Sequence, residues 1–331
     1  MITKPNISRI NSLFLSIPVL FLLLLLIPVS VSAQDFHVKD SILTKYDGPG
    51  GDVIISGDIQ KIGVSAFQNN TSVTSVSIPE GCFAVDDGAF DGCTNLKTVS
   101  LPSTLKTIGT LAFARCKSIE YIHLPSGLET ISGGAFYNCD SLGSINFPSS
   151  VKTLEGSCCA GCDSLVLLTV DSSNKNYIAE DSILYTKDRK TLIQYPGGLV
   201  QESFTIPNGV EIIGPESFRG QTHLKEIVFS GTVRKIMQKS FNGCTSLTSV
   251  ELPENIEKIY EYSFQNCTNL CRLYVRNDKQ ETMATAFNGD TSLILYGPEE
   301  SKIHTHAKKY GLRFRPLADD TYDFPDSEMK F

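Results

Sequence analysis

The sequence predicts a mainly β, α-poor solenoid of about nine coils of 23 residues, closed by a capping segment at each end. Three observations carry this prediction. A small residue followed by a large one returns at a fixed step, apolar residues recur at constant offsets after that pair, and a proline ends most of the resulting phrases. Self-similarity at a fixed period is the mark of a repeat architecture, in which each unit contacts mainly its neighbours.

The pair reads Ala66-Phe67, Ala89-Phe90, Ala112-Phe113, Ala135-Phe136, Cys158-Cys159, Ser217-Phe218, Ser240-Phe241, Ser263-Phe264 and Ala286-Phe287. Six, nine and eleven places after the Phe stand apolar residues, as in Leu96, Val99 and Leu101 or Leu247, Val250 and Leu252. The alternation from nine to eleven predicts a short strand with one buried face, and Pro79, Pro102, Pro125, Pro148 and Pro253 stop that strand. A second apolar pair closes each unit, for example Leu105 and Ile108 or Ile256 and Ile259. One unit cannot bury all these positions, whereas a stack of units can.

This L-x-x-L-x-L phrase sits in a unit of roughly A-F-x-x-C-x-x-L-x-x-I-x-L-P-x-x-(V/L)-x-x-I, and it resembles the BspA-type leucine-rich repeat over about residues 42–317. Such proteins are associated with bacterial and protozoal surfaces and with attachment to host or microbial partners. The resemblance therefore implies adhesin-like binding outside the cell.

Taken in order, residues 1–33 read as a signal peptide: Lys4 and Arg9 precede an apolar run over 13–29, and Val-Ser-Ala at 31–33 supplies the small residues of a cleavage site. An uncleaved anchor is the alternative, since a run of about 20 apolar residues can cross a bilayer. Residues 34–58, with a turn-rich Gly-Pro-Gly-Gly, are similar to the family's N-terminal cap, and repeats fill 59–170 and 210–292. Between them, 171–209 breaks the period, and "SILYTKDRKTLIQYP" at 182–196 predicts a β-hairpin turning at Lys187 to Lys190. The resemblance makes this insertion a structural variant of a coil; a binding protrusion is the other reading. Residues 293–317 are similar to a C-terminal cap with a short helix near Glu300 to Tyr310, and 318–331 form an acidic tail.

The formal net charge is −7, and loss of the leader removes basic residues only. With no Lys/Arg cluster to offset it, that field argues against a nucleic-acid partner. Ten cysteines in an exported chain raise the question of disulfides, but Cys93, Cys116, Cys139, Cys162, Cys244 and Cys267 all stand three places after the Phe position. They are expected to form an internal column of unpaired packing thiols, because side chains in parallel register do not meet disulfide torsions easily. Cys158, Cys159 and Cys162 lack the second ligand pair of a zinc site, so neither metal nor cofactor is expected. The histidines form no metal motif, with His304 and His306 expected at the surface of the closing helix. No phosphate-binding loop or nucleophile elbow occurs, so an enzyme is not expected. The sequons at Asn69, Asn70 and Asn266 fall in the turn of the repeat.

Residues eight and ten after the Phe should point outward. They include Thr98, Ser100, Tyr121, His123, Ser144, Asn146, Glu226, Glu251, Arg272 and Tyr274, the candidate partner-binding residues. Nine coils at about 4.8 Å each would make this ladder roughly 40 Å long, suited to an extracellular protein or glycan. The expected function is thus binding of a macromolecular partner by a secreted or cell-surface protein without a membrane span once the leader is cut. A structural envelope or spacer protein is the alternative.

Overall fold

A computed structural model of the chain describes residues 35–317. The leader at 1–33 and the acidic tail at 318–331 lie outside the described residues. Within the described range no helix is long and apolar enough to cross a membrane.

The chain winds into a β-solenoid. A ladder of two-residue strands runs through Lys61–Ile62, Ala84–Val85, Thr107–Ile108, Thr130–Ile131 and Thr153–Leu154, all parallel and in register. These strands are built on the second apolar pair of each unit, whose last member is buried every time. A second ladder carries the longer strands that end at the prolines, such as Val73–Ser77, Thr98–Ser100 and Ser249–Leu252. The stack comprises about 12 turns rather than nine. The end turns, and the turn in which Tyr195 takes the Phe position, lack the small-large pair and so escape a count based on it.

Stacking is closest at the Phe turn. Rings follow one another from Tyr46 through Phe67, Phe90, Phe113 and Phe136, with centroids 4.8, 4.7, 5.1 and 5.7 Å apart. A second run passes from Tyr195 through Phe218, Phe241 and Phe264 at 5.0, 4.9 and 5.2 Å. Beside the rings, the Phe90 N–H donates to the Ala112 carbonyl at 2.7 Å and the Phe113 N–H to Ala135 at 2.8 Å. A small residue before the Phe leaves room for this approach, which explains the small-large pair. Two places before and after the ring the backbone enters the left-handed region, as at Leu111 (φ 55°) and Arg115 (φ 57°) around Phe113. Asn69 and Asn266 occupy this same turn position with φ of 58° and 60°, a local reason for asparagine there.

The cysteine column is internal and unpaired. Each thiol donates to the carbonyl of the Phe one coil back: Cys93 to Phe67, Cys116 to Phe90, Cys139 to Phe113, Cys244 to Phe218 and Cys267 to Phe241, all at 3.1 Å. A thiol therefore serves as a donor here as well as a space filler. Asp290 stands at this position in the last coil, and both of its carboxyl oxygens are buried without a hydrogen-bond partner among the described residues. Burial pushes its pKa up to about 7.

At the C-terminal end the helix Lys302–Tyr310 is capped by Ser301, whose hydroxyl accepts from the His304 N–H, and stopped by Gly311 in the left-handed region. It buries Ile303, His306 and Ala307. His306 is thus not at the surface as its sequence context implied; the helix turns it inward, edge-on to Phe287 at 5.9 Å. His304 stacks on Phe314 at 4.2 Å.

Between the two runs of rings lies a joint. The chain forms an antiparallel sheet from Tyr177–Glu180, Ile183–Thr186 and Thr191–Gln194. Its residues alternate between two cores: Leu184 and Ile193 face the N-terminal one, while Ile183, Tyr185 and Leu192 face the C-terminal one. The hairpin is therefore a wall shared by two stacks. After it, Pro196-Gly197-Gly198 passes close under the preceding coil, with the Gly198 N–H donating to the Leu165 carbonyl at 2.9 Å. A Cβ on Gly197 would lie 2.4 Å from the Cys162 carbonyl oxygen, so only glycine lets the two backbones approach.

Two outcomes follow from this packing. Gly197→Ala should lower unfolding stability by about 1–3 kcal/mol through overpacking, whereas Gly231→Ala, with nothing within 4 Å, should stay within about 0.5 kcal/mol; urea titration distinguishes them. Because the folded pKa of Asp290 is raised from the ordinary 3.8, its protonated form is favoured by folding. Its contribution is fully present below that ordinary value, declines as pH rises to about 7, and is flat above. The stability difference between Asp290→Asn and the parent should therefore grow across that window, measured as thermal midpoints from about pH 4 to about pH 8.

Candidate functional site

The strands that end at the prolines turn alternate side chains out. In Thr98–Ser100 and Glu226–Val228 the middle residue is buried and its neighbours are exposed. Thr98, Ser100, Tyr121, His123, Asn146, Glu226 and Glu251 are exposed, and Ser144 is half-buried. Tyr121, at 54% exposure, makes only an isolated bridge to Ser144 rather than a full strand pairing. Arg272 is half-buried and Tyr274 is buried, which corrects the expected exposure of this pair. The cause lies in the next turn: Tyr296 pairs in register with Tyr274 and stacks on it at 4.7 Å.

The outward face is not one continuous ladder. Its strands form a three-stranded sheet starting at Gly51–Ile54, a two-stranded sheet of Ser144–Phe147 with Leu167–Val170, and a six-stranded sheet starting at Ser203–Thr205. The joint separates the last of these from the others. The candidate residues accordingly fall into two groups.

In the N-terminal group a groove of about 390 Å³ is lined by Ile54, Ser75, Ser77, Thr98, Ser100 and His123. Its polar groups are hydroxyls and one imidazole, and Ile54 adds an apolar edge at 71% exposure. Hydroxyls here hydrogen-bond between coils, Ser75 donating to Asp52 at 2.7 Å and Thr169 to Asn146 at 2.8 Å. In the C-terminal group a groove of about 580 Å³ runs beside Glu226, Val228, Phe229, Glu251, Glu254 and Arg276. Arg276 Nε donates to Glu251 at 2.8 Å. Ile54, Phe229, Glu254 and Arg276 were missed by the alternation rule: Ile54 pairs in register with the outward Ser77 but its turn lacks the small-large pair, Phe229 stands at the eleventh place, and Glu254 and Arg276 follow the ends of their strands, where exposed charge was the available signal.

Chemically, this surface offers hydrogen bonds, apolar contact and charge. Among the described residues no group of three or more His, Cys, Asp or Glu side chains could hold a metal ion. Burial pushes the Cys93 thiol up to about 12 and raises Cys244 as well, which keeps both protonated. The neighbouring Cys158 thiol, followed by burial, raises Cys159, whose sulfur lies 3.6 Å away. A protonated buried thiol is neither a nucleophile nor a ligand.

The model of the BspA type leucine rich repeat region matches residues 59–187 and 199–305 in six copies. No curated protein matches the chain. Among solved structures, a leucine rich cell surface protein from Faecalibacterium prausnitzii is 22% identical, with a TM-score of 0.60 over 84% of this chain and 94% of that one. A leucine-rich repeat protein from Eubacterium ventriosum is 22% identical, with a TM-score of 0.61 over 84% and 81%. The pneumococcal vaccine antigen PcpA is 18% identical, with a TM-score of 0.59 over 88% and 98%. At these identities the likeness is one of fold.

The corrected burial separates the two tyrosines experimentally. Tyr121→Ala should change stability by less than about 0.5 kcal/mol, since it removes an exposed ring. Tyr274→Ala removes a buried, stacked one and should cost about 3 kcal/mol in urea titration.

Proposed function

The chain belongs to the BspA-type leucine-rich repeat family, and on that premise we propose that it is an exported, non-catalytic solenoid that binds a macromolecular partner, protein or glycan, in an adhesin-like manner. One observation carries this reading: Tyr121 and His123 stand exposed, His123 lining a groove rich in hydroxyls, on a segment whose alternate residues Ile122 and Leu124 are buried in the core. An exposed tyrosine on a rigid support contributes contact area at little cost in ordering, which is the usual character of an interface anchor. The secretory leader read in the sequence supports export, and the cell surface protein of Faecalibacterium prausnitzii supports the same location for this chain, secreted or surface-held.

A structural spacer that uses the solenoid for its length alone is the second reading. It is favoured by the mutual hydrogen bond of Asn146 and Thr169, which engages polar groups of the face within the protein itself.

The chain lacking residues 1–33 should be screened against extracellular-matrix proteins, mucins, whole cells and a glycan array, beside a Tyr121→Ala/His123→Ala variant. Saturable binding that weakens at least about tenfold in the variant, with an unchanged urea midpoint, is the expected result. Absence of saturable binding throughout would favour the spacer, and equal binding by both proteins would move the contact away from this pair.

A further inference from the structure

We propose that the groove beside the strands Glu226–Val228 and Ser249–Leu252 takes an extended cationic polypeptide segment that carries lysine or arginine and apolar side chains in turn at every second residue, on one face. This rests on the partner-binding reading above and, for this half of the face, decides between protein and glycan.

The floor of the groove is apolar and open. Val228 is 43% exposed, and half-buried Phe229 is held beside it by an edge contact with Phe241 at 5.9 Å. The rim is acidic, with Glu226, Glu251 and Glu254. Of these Glu251 is answered by Arg276 at 2.8 Å, so the protein's own guanidinium already shows which group the rim accepts. For Glu226 and Glu254 no ion pair is found among the described residues.

Val228 and Glu251 are register partners on adjacent parallel strands, which places an apolar and an acidic group side by side, about 4.8 Å apart. An extended segment sends successive side chains to opposite faces, so residues two apart, about 6.6 Å along the chain, face the groove together and can offer it a cationic and an apolar group.

Other ligand classes fit less well. A neutral glycan can donate hydroxyls to the carboxylates but brings them no counter-charge. Anionic glycans and nucleic acids are repelled by these groups and by the net charge of −7. A lone calcium ion needs about 6–8 oxygen ligands and would leave the apolar floor uncovered. A basic peptide with apolar side chains answers the rim with opposite charge and the floor with apolar contact.

The test uses the chain without its leader and a short lysine–valine peptide, in which the two alternate at every second residue with serine between them, titrated by calorimetry at physiological ionic strength. A glutamate–valine peptide, a lysine–serine peptide and a dextran oligosaccharide serve as comparators. Saturable binding should weaken at least about tenfold in Glu226→Gln/Glu254→Gln and stay within about twofold in Asp58→Asn/Glu120→Gln, which removes the same charge elsewhere. Lysine–serine should bind at least about tenfold more weakly than lysine–valine, and Val228→Ser should reduce that preference. Equal losses in the two charge variants, equal binding of the oligosaccharide or of the glutamate–valine peptide, or no saturable binding of the lysine–valine peptide would overturn the proposal.

The two readings fail separately. If the lysine–valine peptide fails to bind saturably while the screen captures a partner, this groove assignment falls and partner binding stands. If the screen captures nothing while the peptide binds as expected, the partner-binding reading falls and the groove's selectivity stands.

Discussion

Everything in this protein depends on keeping one coil at hydrogen-bonding distance from the next. Parallel strands set a separation of about 4.8 Å, and aromatic rings stack comfortably at nearly the same distance. The Phe column satisfies both demands at once, with Phe67 and Phe90 centred 4.7 Å apart and backbone bonds of 2.7 and 2.8 Å beside the rings. Other features follow from that pitch. The residue before the Phe is small, the thiol three places on must reach a carbonyl in the coil before it, and the flanking backbone must turn through the left-handed region even at Leu111. Exposed ion pairs such as Lys152–Glu129 and Arg234–Glu257 repeat the same step on the surface, but each contributes at most about 1 kcal/mol. They decorate a pitch that the core sets.

The same constraint explains why the chain needs its joint. Cys159 takes a ring position and ends the first run of stacked rings, while Tyr195 starts the second. A two-sided sheet solves the problem of ending one core and beginning another without exposing either. Ile183, Leu184 and Tyr185 are consecutive, so the period-two alternation of a strand sends Leu184 one way and its neighbours the other. The close pass at Gly197 then restores backbone contact with the coil before the joint.

Periodicity made the repeated interior legible. Phe113, the offset residues Ile119 and Ile122 that follow it, and Cys116 of the thiol column are buried where the spacing places them. What a period cannot express is how a stack ends. Tyr274 obeys the outward rule in its own coil, yet the following turn brings Tyr296 onto it, and no feature within its repeat foretells that contact. His306 likewise looks like a polar residue on a surface helix until the helix is laid against Phe287. The turn number read from the small-large pair falls short for a related reason: Tyr195 performs the task of the Phe without a small predecessor, so only the later offsets of Phe204 and Ile206 reveal that coil.

The division of labour between inward and outward positions bears on how such a surface can acquire selectivity. A change at Ile227 must be accommodated by coils on both sides, since that side chain is buried in a core shared between them. A change at Glu226 or Val228, on the opposite face of the same strand, meets mostly solvent. Backbone geometry is therefore held constant while the exposed chemistry varies coil by coil. That is why hydroxyls around Ser75 and Thr98 can face one environment and the carboxylates around Glu251 another, though both are mounted on nearly the same strand. Because the joint interrupts the outward sheets, the exposed chemistry of each half can change without requiring register across the whole length. The face is better understood as two short platforms with different chemistry than as one long uniform ladder.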